Sequence, residues 1–243
     1  MKMLTTIIIW MIAQGVLAAG ISMDPGSGID MGGSPITNLD EPVFPGDAAP
    51  MDYLQEVLTG VAPVEKTGQT TSYASGDDGD LERGAPWPNP RLTDNQDGTV
   101  TDNLTGLVWL AKANCIATDY PGFDTDGTAG DGLVDWSSAL EFVAGINTAD
   151  YDCSDTSNGG GNQTDWRLPN VKELHSLIDF SKSNPALPDS GLFQDMQSNW
   201  YWSSTTVAQG NHLAWAVSLL NGDANHGDKV YVGLFVWPVR AGN

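Results

Sequence analysis

The chain has 243 residues, 40% of them hydrophobic, which is enough for one substantial globular domain plus extensions. Its 31 acidic against 10 basic residues give a formal net charge of -21, and the pI is about 4.1. That balance excludes recognition of a phosphate backbone, which needs clustered Lys and Arg to displace counterions, so nucleic acid is not an expected partner. It suits instead a secreted protein kept soluble by self-repulsion, or one that takes up hard cations through oxygen ligands.

Residues 1–19 read as a signal peptide: Met1-Lys2, an apolar run from Met3 to Leu17, then Ala18-Ala19-Gly20. Export is the expectation, with cleavage after Ala18 or Ala19 and a secreted or cell-surface location. A retained membrane anchor is the alternative, but Gln14 and Gly15 interrupt a run already shorter than the roughly 20 residues that span a bilayer. Residues 20–35, rich in Gly, Ser, Pro and Asp, carry no apolar periodicity and are expected to be extended or mobile.

From Ile29 to Leu58 the text changes. Ile36, Asn38, Leu39, Pro42, Asp47, Ala48, Ala49 and Tyr53 fall in an order that resembles the repeat joining shaft segments of phage tail fibres, with Pro50 a departure from it. The resemblance implies packing about a threefold axis and hence a homotrimer, so residues 20–61 are expected to be a stalk and oligomerisation segment. Leu54, Val57, Leu58 and Val61 lie at helical spacing, and a helix so short needs packing partners to be stable. Residues 62–90 are turn-rich, end in Gly84-Ala85-Pro86-Trp87-Pro88-Asn89-Pro90, and read as a stiff linker to a domain over 91–243.

Within that domain, Asp97-Gly98 between two alternating runs is a strong hairpin signal, and Asn103 to Gly106 is a second turn. Trp136, Ala139, Leu140 and Val143 behind Asp135 predict a helix over 136–147. A second helix is predicted from Asn170, with Glu173 completing a capping box and Val171, Leu174, Leu177 and Ile178 facing inward. Strands follow at Tyr201 to Thr206, Leu213 to Leu219 and Val230 to Val239, so the class is α+β: two helices and an antiparallel sheet, preceded by an extended N-terminal stalk. The two cysteines, Cys115 and Cys153, are expected to pair in an oxidising compartment, closing a loop of 38 residues worth roughly 4 kcal/mol on the chain-entropy model.

The ordered segments RLTDNQDGTVTDNLTGLVWL, the Trp136 helix, DWRLPNVKELHSLID, YWSSTT, LAWAV and VWPVR resemble the Lcl C-terminal domain family. The resemblance implies a C-type-lectin-like fold. The Trp166-Arg167-Leu168-Pro169 block also resembles formylglycine-generating enzymes, but those depend on cysteines late in the domain, and both cysteines here precede Trp166. Trp109, Trp136, Trp166, Trp202, Trp215 and Trp237 read mostly as core, and Arg167 and Arg240 as structural ion-pair groups.

No serine nucleophile elbow, Cys-His pair, zinc motif or phosphate loop is present in the sequence, so catalysis is not expected. The stretch from Asp119 to Asp165 holds ten carboxylates and no Lys or Arg, which makes Asp124, Asp126, Asp131 and Asp135 candidate calcium ligands. The competing reading is a solvated loop in which Asp135 caps a helix. Thr93 to Asp102 only faintly resembles a calcium loop, because Leu104 stands where a Glu is needed, and the Glu-Pro-Asn and Gln-Pro-Asp triplets of calcium-dependent lectins are absent.

Ligand is expected at the turns flanking the LAWAV strand: Asn211 and His212 before it, and Asn221, Asp223, Asn225, His226 and Asp228 after it. Ordinary hairpin turns are the competing explanation. The function expected is a secreted recognition module, an adhesin or fibre tip, binding a glycan or cell-surface protein. A structural subunit of a trimeric filament and a retroelement-diversified binding protein are the alternatives.

Overall fold

The computed structural model describes residues 21–24, 28–31, 64–123, 128 and 130–242. The signal peptide, the tail-fibre-like matches from Ile36 to Tyr53 and the helix expected to follow them lie outside those residues. The chain divides into two units, Met1–Pro63 and Val64–Asn243. In the first, β1 (Ile21–Asp24) pairs antiparallel with β2 (Gly28–Met31), Ser22 opposite Asp30.

The second unit contains helices α1 (Asp78–Leu81), α2 (Cys115–Asp119), α3 (Trp136–Asn147) and α4 (Val171–Ser176). Its seven strands are β3 (Leu92–Asp94), β4 (Thr99–Asp102), β5 (Leu107–Leu110), β6 (Trp200–Val207), β7 (Gly210–Ser218), β8 (Ala224–Asp228) and β9 (Val239–Ala241). They form two antiparallel sheets, β3-β4-β5-β9 and β6-β7-β8, so the α+β expectation holds. Among the described residues no helix is long and apolar enough to cross a membrane.

Local signals became the local structure they specify. Gly98 takes φ +87° in the β3–β4 turn, and a Cβ there would meet the Ser154 carbonyl oxygen at 1.8 Å, so glycine is required both for the turn and for the close approach of a second loop. Asp135 caps α3 by accepting from the Ser138 N–H (2.8 Å). Asn170 and Glu173 form the capping box of α4. In α3 the buried stripe is Ala139, Phe142, Val143 and Ile146, while Trp136 is half-buried and Leu140 lies at the surface. The buried face is thus turned away from Leu140 toward Phe142 and Ile146, which together bury more apolar area than Leu140 would.

Residues 64–90 differ from the linker expected there, since they belong to the same unit as the domain. Lys66 N–H donates to the Ala85 carbonyl (3.1 Å) and Phe180 N–H to the Thr67 carbonyl (2.9 Å). Trp87 Nε1 donates to the Lys66 carbonyl (2.9 Å). Gly68, at φ +89°, sits where a Cβ would meet Asp179 Oδ1 at 2.5 Å and the Trp87 ring at 2.7 Å. The segment has no periodicity for a sequence reading to find, because tertiary bonds rather than a repeating apolar face hold it.

One core unites the two sheets and the helices around Trp109, Trp202, Trp237, Tyr201 and Phe142, all fully buried. Trp166 is buried with them, whereas Trp136 and Trp215 are only half-buried. On β7 the small residues Ala214, Ala216 and Ser218 are buried, as are Val217 and, just beyond the strand, Leu219, while Leu213 and Trp215 remain half-buried. The cause lies on β6, whose Trp202 pairs with Ala216 and whose ring lies 2.8 Å from the position of a Gly227 Cβ. That indole fills the space over Ala216 and Gly227, so only small residues fit beneath it.

Cys115 and Cys153 form a disulfide. Reduction is expected to lower stability by roughly 4 kcal/mol for a closure of this length, to be read as the shift in urea midpoint with and without reductant. An unchanged midpoint would refute it.

Arg167 forms a two-bond ion pair with Glu173 (2.6 and 2.7 Å), and Arg240 Nε binds Asp165 (2.7 Å), the structural roles expected of both. Burial pushes the Glu173 carboxyl up, but the Arg167 guanidinium and the Asn170 N–H outweigh it and hold it below the ordinary range. A depressed carboxyl contributes stability above its unfolded pKa and loses it as pH falls through the folded value. Glu173→Gln is therefore expected to reduce stability near neutrality and to flatten its fall in acid, as measured by melting temperature against pH. A parallel shift at every pH would contradict this.

Candidate functional site

Seven residues from the β6–β8 region were expected to converge on a ligand, and the register distributes them along β7 instead. Leu213 faces Asp228, Trp215 faces His226, Ala216 faces Asn225 and Val217 faces Ala224. Asn211 and His212 therefore lie with Asp228 at one end of the β7–β8 pair, Asn225 and His226 along its middle, and Asn221 with Asp223 at the other end. All are exposed except the half-buried Asp228.

Asn225, His226 and Asp228 also stand on a strand, where a loop was expected. Their backbone continues the β7 ladder as the sheet's edge, and polar side chains are what solvated edge strands carry. At the first end, Lys229 N–H donates to the His212 carbonyl (2.9 Å), and Asp228 Oδ1 accepts from the N–H groups of Val230 (3.0 Å) and Tyr231 (3.3 Å). Lys229 Nζ donates to Thr206 Oγ1 (2.8 Å) and lies 3.9 Å from the centre of the Trp136 ring, a cation–π contact. At the far end Asn221 Nδ2 donates to Asp223 Oδ2 (2.6 Å).

In the middle, the His226 ring meets the half-buried Trp215 edge-on, with centroids 6.0 Å apart and planes at 82°. Trp215 was read with the other strand tryptophans as mostly core. Val230 and Tyr231, 70% and 87% exposed, were assigned to a strand that does not form; of that expected strand only Val239 lies in β9. The signal that could have corrected this is Asp228 itself, a residue that ends strands by capping the backbone two and three positions on.

Of the proposed calcium ligands, Asp124 and Asp126 lie outside the described residues. Asp131 Oδ1 accepts from Leu133 N–H (2.8 Å). Asp135 accepts from Ser138 N–H and from Ser137 Oγ (2.7 Å). Burial pushes the Asp135 carboxyl up, yet these donors prevail and hold it below the usual carboxylate range, so it serves α3 as an ionised cap. Among the described residues no group of three or more His, Cys, Asp and Glu side chains is placed to hold a metal ion.

A family model, the Lcl C-terminal domain, matches residues 98–240. No curated protein matches the sequence.

Proposed function

The chain belongs to the Lcl C-terminal domain family, and on that premise we propose that it is a secreted surface recognition module, an adhesin or fibre tip, that binds a glycan or cell-surface protein through the exposed flank of β7 and β8. The observation that carries the reading is the Trp215–His226 pair. An indole left half-buried on the sheet, with the exposed imidazole of His226 directly opposite it on β8, offers an apolar face and a directional donor and acceptor together. Sugar rings and protein hot spots both use that combination.

A binding role also fits a sequence without a nucleophile, zinc or phosphate motif. Export by the Met1–Ala19 segment and trimerisation through residues 29–61 complete the proposal, and calcium at the acidic stretch is an optional part of it. The test is a glycan and cell-surface binding screen of the full chain, with and without calcium. Asn225→Ala combined with His226→Ala is expected to abolish binding to whatever the screen finds, with the melting temperature nearly unchanged. Undiminished binding by that variant would overturn the site. Light scattering of the full chain against residues 64–243 tests the trimer, which fails if both are monomeric at micromolar concentration.

A further inference from the structure

The opposite sheet, β3-β4-β5-β9, carries a depression of about 370 Å³, within the range of about 300–1,000 Å³ usual for small-molecule sites. Its floor is a cross-strand row, Thr101 on β4 beside Val108 on β5 beside Arg240 on β9. Its walls are Asn95 and Asp97 from the β3–β4 turn and Gln163 from the loop that follows Cys153. The walls are fixed relative to each other. Thr156 N–H and Oγ1 both donate to the Asp97 carbonyl (2.8 and 3.1 Å), Gln163 N–H donates to the buried Asp155 (2.8 Å), and Gly98 touches Ser154. A preformed cavity of this kind costs a ligand little reorganisation.

Its polar groups are only partly used. Asp97 Oδ1 accepts from Thr99 N–H (3.0 Å) and Thr99 Oγ1 (2.6 Å), and Oδ2 has no partner among the described residues. Arg240, 8% exposed, donates to Asp165 through Nε, its two terminal nitrogens have no hydrogen-bond partner among the described residues, and the residue lines the cavity. The Gln163 side-chain amide is likewise unengaged among the described residues. A carboxylate oxygen, a guanidinium and an amide around one polar floor match groups that both donate and accept, which is the property of hydroxyls. An anion is disfavoured, since Asp97 and Asp165 offset Arg240 and the whole chain carries -21.

We infer that this depression is a second binding site, separate from the β7–β8 flank, for a neutral sugar of one or two rings, with Asp97 and Arg240 addressing neighbouring hydroxyls. The test is an NMR titration of the full chain with methyl glycosides of neutral hexoses and N-acetylhexosamines, with a heparin fragment as the polyanionic comparison. At least one neutral glycoside is expected to give saturable shifts at Asn95, Thr101, Gln163 and Arg240 Nε. Gln163→Trp, which fills the mouth, is expected to weaken that binding about tenfold or more, as is the smaller change Thr101→Val should the first variant not fold. Asn225→Ala with His226→Ala is expected to leave these shifts intact, so failure at the β7–β8 flank and failure here are distinguishable. No saturable shift from any neutral glycoside, stronger binding there by the heparin fragment, or unaltered affinity in folded Gln163→Trp would overturn the assignment.

Discussion

Asp102→Ala is expected to destabilise the domain by about 3–5 kcal/mol, the magnitude for removing one partner of a buried ion pair. Arg91 and Asp102 have side chains only 4% and 0% exposed. Two bonds join them, Nε to Oδ1 at 2.8 Å and Nη2 to Oδ2 at 3.0 Å. Asp102 also accepts from Leu104 N–H (2.9 Å) and Thr105 Oγ1 (2.7 Å), so the same carboxylate builds the β4–β5 turn. Without it the guanidinium keeps the Ser176 carbonyl (2.8 Å) and the face of Trp87, 4.7 Å away, while Nη1 is already buried with no hydrogen-bond partner among the described residues. Neither neighbour supplies a counter-charge. Urea denaturation reads the loss, and a midpoint equal to that of the unaltered protein would refute it. Replacing both partners, as Arg91→Met with Asp102→Leu, is expected to cost much less, because no charge is then left stranded.

Trp237→Ala is expected to be comparably severe, about 3–5 kcal/mol for a large buried aromatic. Trp237 is fully buried, with ring centroids 4.7 Å from Phe193, 5.3 Å from Trp109 and 5.7 Å from Tyr201. Its Nε1 donates to the Leu110 carbonyl at 2.8 Å, which ties the chain's last segment to β5. Trp237→Phe keeps most of the packing and loses the donor, so a smaller cost of about 1–3 kcal/mol is expected for the unpaired carbonyl. Denaturation with near-ultraviolet circular dichroism separates the two variants. Equal losses would show that the missing hydrogen bond, common to both variants, accounts for the effect, and a Trp237→Phe variant as stable as the unaltered protein would show that packing alone does.

The features legible in the sequence are those whose causes are local. Asp97-Gly98, the Asp135 cap and the Asn170–Glu173 box each draw on residues within a few positions of one another, and each has the expected geometry. The pairing of Cys115 with Cys153 follows from there being no other cysteine. What escaped depends on partners far along the chain. Ala216 is inward because Trp202, paired with it from β6, covers it, which nothing within β7 reveals. The 64–90 segment folds back through Phe180 and Asp179, more than a hundred residues away in sequence. At the candidate site the residue types were readable, but β8 turns an expected loop into an edge strand and brings His226 to Trp215 rather than to His212. The sheet depression was invisible for the same reason, since its floor joins Thr101 to Arg240 across three strands.

The placement of β9 sets an order on the birth of this protein. Val239–Ala241 lies beside Leu107–Leu110, Arg167 bridges to Val239, and Gly242 N–H reaches the Gly106 carbonyl at 3.0 Å. A strand made early in the domain therefore waits for β9, far along the chain, to be synthesised before its outer edge is filled. Contacts of such sequence separation make folding slow and leave the edge of β5 open in the meantime. Until β9 has been made and has docked, the domain stays open along that strand, and pairing of the bare edge with another chain is the competing event.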